Sequence, residues 1–209
     1  MGKIMGKLKK QFISNIPYYV LFFILLFIHI QLNVSTGDDV NFAIRAKSMT
    51  FTDFNIYKYY NWSSRQLIES VLYFISVHSR VWMLLNSLVI TIIAKLIEAI
   101  FCNHTIKMKI LCCIGTLIYP LIDMSSAGWM ATTINYYWPL GAILINLYYL
   151  KKANNLIKLK WYEYIISSIA LLFAANQEQG FAILLGTYFF YIIYCFINKR
   201  KISFFVILN

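Results

Sequence analysis

Charge is scarce in this chain: Asp, Glu, Lys and Arg make up only 13% of its 209 residues, about half of what a soluble domain carries. With 60% hydrophobic and 18% aromatic residues, too few polar groups remain to cover a water-facing surface. An ordinary soluble globule is excluded, and lipid is the expected solvent. Cysteine is sparse too. Cys102, Cys112, Cys113 and Cys195 fall within or at the inner ends of apolar segments, so no disulfide framework is indicated. Cys102-Asn103-His104 offers metal-type ligands, but no second pair accompanies it; neither a metal site nor a cofactor is expected. The first apolar run lacks a small-x-small cleavage site and is too long for a leader, so it reads as an uncleaved anchor. No repeat relates the two halves and few charges fall mid-span, which argues against a transporter or flippase.

What is present is a series of apolar runs. A bilayer core about 30 Å thick needs about 20 mostly apolar helical residues. The sequence therefore predicts an all-α, polytopic transmembrane bundle forming a single domain. Its spans fall near 15–34, 81–101, 110–130, 134–150, 162–178 and 180–197. Pro120 and Asp123 interrupt the third, yet 110–150 still reads as a hairpin. The closing run 202–209 follows the basic cluster Lys199-Arg200-Lys201, the context of a seventh span cut short.

The net charge of +11 reflects topology rather than a nucleic-acid partner, because the charges lie between the apolar runs. With a cytoplasmic N-terminus, thirteen of nineteen basic residues fall on the inner side and six of eight acids on the outer side. Every short loop then obeys the positive-inside rule. Tyr148-Tyr149 and Trp161-Tyr162 would mark the inner interface and Tyr136-Tyr137-Trp138 the outer one.

About 46 residues separate the first two spans, long for a bare connection. Within them, apolar residues at 67, 68, 71, 72 and 75 predict an amphipathic helix over 65–76. It would lie along the outer interface, extend the second span, or simply cap the bundle; Arg65 and Glu69 are spaced to pair. At the mouth of the first span stands Val34-Ser35-Thr36-Gly37-Asp38-Asp39. Following Gly37, the acids suit a turn or a helix N-cap. They equally suit a partly desolvated general base, with mutual repulsion raising one proton affinity. Arg65 and Arg80 are available as counter-charges or phosphate clamps.

Further outward polar groups are Asp123 at the end of the third span, Ser125-Ser126-Ala127-Gly128-Trp129, Asn135 to Pro139, and Asn176-Gln177-Glu178-Gln179-Gly180. Each is an ordinary solvated helix end, or together they line one wet vestibule. His29, Asn86, Lys95 and Glu98 read as packing or snorkelling groups.

Several of these short motifs resemble those of a bacterial family of multipass membrane proteins, itself similar to the GT-C glycosyltransferases. They are Asp38-Asp39, Trp62-x-x-Arg65, Ala127-Gly128-Trp129, Ile134-Asn135-Tyr136-Tyr137-Trp138-Pro139 and Asn176-x-Glu178-x-Gly180. The resemblance runs from the first span to about residue 180. It implies a plasma-membrane enzyme that transfers a sugar from a polyprenyl-phosphate donor on the outer face. Asp38 or Asp39 would be the base, and Arg65 would grip the donor phosphate. Trp62, Arg80, Asp123, Asn135, Trp138 and Glu178 are the further candidate substrate-binding residues. Ser64 stands where the pattern would have glycine, and such enzymes usually carry more helices. The other expectations are a transporter or flippase component for lipid-linked or sugar substrates, the weaker of them for want of repeats and mid-span charges, and a non-catalytic membrane scaffold or fragment.

Overall fold

The computed structural model describes residues 2–34 and 36–208, among which there is helix and irregular backbone but no strand. Ser35, Asn209 and the side chains of Lys3 and Lys7 lie outside the described residues. α1 (Gly2–Ser14) turns at Asn15 into α2 (Ile16–Gln31). The first long connection then folds as α3 (Gly37–Ser48), α4 (Phe51–Asn61) and α5 (Gln66–Ile75). α6 (Ser79–Phe101) and α7 (Ile106–Leu117) follow, then an irregular stretch over 118–129. α8 (Met130–Thr132) passes through a π turn (Thr133–Tyr137) into α9 (Trp138–Asn154). α10 (Trp161–Ala175), α11 (Glu178–Ile197) and the short α12 (Phe204–Leu208) complete the order.

α6 and α11 are long and apolar enough to cross a membrane; α2, α5 and α10 are apolar but shorter. At about 1.5 Å per residue, α6 and α11 reach roughly 34 and 30 Å, against a hydrocarbon core of about 30 Å. α9 sits centrally, against α6 on one side and α10 on the other. Leu21 and Leu25 of α2 meet Ile90, Ile93 and Ala94 of α6 in one core. Phe42, Phe54, Ile68, Leu72, Trp82 and Ile134 form a second, beneath the α3–α5 connection.

Beside these apolar cores, large apolar side chains also cover much of the outer surface. Phe23, Phe27, Ile169, Leu172, Phe189 and Phe190 stand exposed, whereas His29, Asn86, Ser87 and Asn146 are buried. The buried groups bond to one another. Asn86 Nδ2 donates to His29 Nε2 at 2.8 Å and Trp138 Nε1 donates to Asn86 Oδ1 at 2.9 Å. Trp82 Nε1 donates to Thr133 Oγ1 at 3.0 Å. These hydrogen bonds satisfy polar groups buried between the helices.

Several expectations are corrected. The predicted helix over 110–130 stops at Leu117, because Pro120 has no N–H to donate and holds Tyr119 out of the helical region. The fifth helix ends at Ala175, so Glu178 opens α11 instead of closing the preceding span. Tyr137 and Trp138 do not form an outer belt: Tyr137 is buried and stacks on Tyr119 with ring centroids 4.4 Å apart, and Trp138 turns inward to Asn86. On α5, Ile68, Glu69, Leu72 and Ile75 are buried while Leu67 is 47% exposed, so one charged residue belongs to the inward face.

Candidate functional site

The polar seam above the helix bundle begins at Gly37. Its φ of +54° opens α3, and a Cβ there would stand 2.1 Å from the Trp129 ring. Only glycine tolerates both the dihedral and the contact. Thr36 Oγ1 and Trp129 Nε1 both donate to the Met124 carbonyl, at 3.3 and 2.7 Å, and so join this turn to the 118–129 stretch.

Successive residues on a helix diverge by about 100°, and α3 separates its two acids accordingly. Asp39 is 2% exposed, and its two carboxylate oxygens accept from Met130 N and Ala131 N, each at 2.8 Å. It therefore caps the start of α8 from another element, satisfying orphan donors at a helix N-terminus. Burial pushes its carboxyl up to about 6, the two backbone N–H groups pull it down, and the Asp38 charge adds slightly to the rise. Asp38, half-buried, instead lines a cavity of about 210 Å³ with Asn41, Arg45, Tyr57, Lys58 and Trp62. Asp38, Asn41 and Arg45 share one face of α3 at spacings of three and four.

Lys58 is buried, its Nζ 3.7 Å above the Phe42 ring and 3.3 Å from Glu69 Oε2. Burial moves both partners toward their neutral forms, Lys58 downward and Glu69 upward, and their mutual attraction opposes this. Ser63 Oγ donates to Glu69 Oε1 at 3.1 Å and accepts from Arg65 N at 3.2 Å. Arg65 then turns away from Glu69, its expected partner. Nε reaches Glu178 at 3.0 and 3.1 Å, Nη2 reaches it at 2.6 Å, and Nη1 meets Asn135 Oδ1 at 3.3 Å. The carboxylate holds the guanidinium above its ordinary value. Asn176 Oδ1 accepts from Leu67 N and Ile68 N at 3.0 and 3.1 Å, capping α5 from the α10–α11 turn.

The candidate residues thus divide. Asp38 and Trp62 share the small cavity, and Arg65, Asn135 and Glu178 form an adjoining cluster linked to it through Ser63, Glu69 and Lys58. The other four are placed elsewhere, Asp39 at the start of α8. Arg80 is exposed at the start of α6. Asp123 is turned on its own loop, where bonds from Ser125 and Ser126 hold it below the usual carboxylate range. Trp138 points into the bundle.

Sequence reasoning missed Arg45, Tyr57 and Lys58. Its available signal was the helical register that puts Asp38, Asn41 and Arg45 on one face, and Phe54, Lys58 and Trp62 on another. Chemically, the cavity places the Asp38 carboxyl with a guanidinium, an amine and aromatic rings, a lining suited to hydroxyl or phosphate groups. Among the described residues no cluster of His, Cys, Asp and Glu is arranged to hold a metal. No protein-family model matches the chain, and neither a curated protein nor a solved structure is significantly similar to it.

Proposed function

We propose that this chain is a polytopic membrane protein with a cytoplasmic N-terminus and about six membrane-crossing segments. We further propose that its outer-face cavity at Asp38 transfers a sugar from a polyprenyl-phosphate donor, in the manner of GT-C glycosyltransferases. The exposed apolar rings and the two helices of membrane-crossing length support the membrane reading. The carrying observation for the chemistry is the division of labour in the acid pair. Asp39 has both oxygens engaged by backbone N–H groups, whereas Asp38 lines a cavity with Arg45 and Lys58.

In this scheme Asp38 accepts the proton of the acceptor hydroxyl as that oxygen attacks the anomeric carbon. The bond from carbon to the phosphate oxygen breaks, and Arg45 meets the charge of the departing phosphate. Arg65, already held by Glu178, positions α5.

The test is transfer from a polyprenyl-phosphate sugar by the purified chain in liposomes. Asp38→Asn should abolish transfer while leaving the thermal midpoint unchanged. Equal activity in wild type and variant would refute the assignment.

The pairing of Lys58 with Glu69 and of Arg65 with Glu178, which leaves neither cation free, favours a second reading, a non-catalytic membrane scaffold. On that reading, no donor would be consumed by the wild type. The broken helix after Leu117 is a feature of transporters as well; sugar flux into proteoliposomes without transfer would mark that case.

A further inference from the structure

Away from the Asp38 seam, a concavity of about 820 Å³ lies between the ends of α9 and α11 and the segments that follow them. Its volume is that of a small-molecule site. The lining carries Lys158, Arg200 and Lys201 beside Ser203 and the rings of Tyr164 and Tyr191, and no carboxylate. Glu163, in the first turn of α10, is engaged with Lys152 Nζ at 2.5 Å and Lys160 N at 2.8 Å. Arg200 Nη1 meets a neutral amide, Asn154 Oδ1, at 3.4 Å. The positive field of the cavity is therefore not cancelled by its own walls.

The backbone around it is built at a conformational cost. Leu156 and Lys199 occupy the left-handed region, at φ 58° and 52°. Each closes its helix with the same pair of bonds. Leu156 N and Ile157 N donate to Ala153 O and Lys152 O, and Lys199 N and Arg200 N donate to Phe196 O and Cys195 O. Glycine normally holds that position. A leucine and a lysine there are strained, and such strain persists where the surroundings enforce it. The two reversals bring Lys158 and the Arg200–Lys201 pair to one cavity from separate helices. They also tie up terminal carbonyls that would otherwise repel an anion.

We propose that this cavity binds the phosphate-bearing headgroup of an anionic lipid. The inference rests on the membrane reading above, which puts these basic segments on the cytoplasmic side. The exposed side chains of Leu156, Ile157 and Ile202 flank the cavity and supply an apolar path for the acyl chains. Basic pockets at the inner ends of helices suit this chemistry.

The test is lipid retention by the full chain in nanodiscs of phosphatidylcholine containing a minority of phosphatidylglycerol, read by native mass spectrometry. At about 1 kcal/mol per cation near an anionic surface, the K158Q/R200Q/K201Q variant should bind phosphatidylglycerol roughly 100-fold more weakly. Lys9→Gln with Lys10→Gln, which removes charge elsewhere, should leave retention near the wild-type level. Ser203→Trp keeps every charge and places a bulky ring in the cavity beside Arg200 and Lys201, so it should also weaken selective retention. Unchanged retention in Ser203→Trp would overturn the proposal, because the cations would then act as a diffuse field. Displacement of the lipid by glycerol phosphate would overturn it in favour of a soluble phosphate ester. Failure of the wild type to enter nanodiscs would refute the membrane reading, whereas normal entry with unselective retention would refute this proposal alone.

Discussion

Asp39 gives the wild type a pH dependence of stability opposite to that of most carboxylates. Its pKa rises from an ordinary 3.8 to about 6 on folding, chiefly through burial. The folded state therefore holds the proton more tightly than the unfolded chain. Between pH 4 and 6 the native state binds more protons, so stability falls as pH rises through that window and levels off above it. At about 1.4 kcal/mol per pH unit, the rise is worth about 3 kcal/mol. For a chain of this size that is roughly 6–12 °C in thermal midpoint. Burial raises Glu69 as well, so the measurement is a difference between wild type and Asp39→Asn. Midpoints are taken in detergent at pH 4.0, 5.0, 6.0 and 7.5 by intrinsic tryptophan fluorescence. Relative to the variant, the wild type should lose its advantage steadily from pH 4 to 6. At pH 7.5 the two should agree within about 1 kcal/mol, because the variant gives up one N–H acceptor but no longer buries a charge. Parallel curves across the whole range would refute the reasoning, and with it the placement of Asp39 in a desolvated cap.

Two further perturbations test the seam. Lys58→Met leaves the buried Glu69 carboxylate without its counter-charge and should cost about 3–5 kcal/mol in detergent unfolding. Adding Glu69→Leu should restore most of that loss, and a double variant no better than the single would sink the buried-pair interpretation. Gly37→Ala must place a methyl group into the Trp129 ring at a positive φ, a loss of about 1–3 kcal/mol. Thermal midpoints within error of wild type would show that α3 enters differently.

The longest apolar runs were legible because membrane-length hydrophobicity depends on neighbours in the chain alone. Expected spans 81–101 and 180–197 correspond to α6 and α11, each starting two residues earlier. The amphipathic repeat of 67, 68, 71, 72 and 75 located α5 for the same reason, although Glu69 joins its buried face. The break after Leu117 was visible in Pro120 but was outweighed by the apolar composition around it. The α4 helix of the first connection escaped notice because it carries no strong apolar period, and α3 was foreseen only as one of two readings of the acids after Gly37.

By itself, then, the amino-acid sequence determined the all-helical class and the two longest apolar helices, since long apolar runs so poor in charge satisfy their backbone most simply as helix. It also brought the acid pair to the start of a helix, through the left-handed turn that Gly37 permits. Only the tertiary structure decided which acid is buried and which is available. Asp39 finds its two N–H donors 91 and 92 residues along the chain, and Arg65 finds Glu178 at a separation of 113. Partners that distant leave no periodic trace, because their geometry arises only when α3, α5, α8 and α11 are brought together.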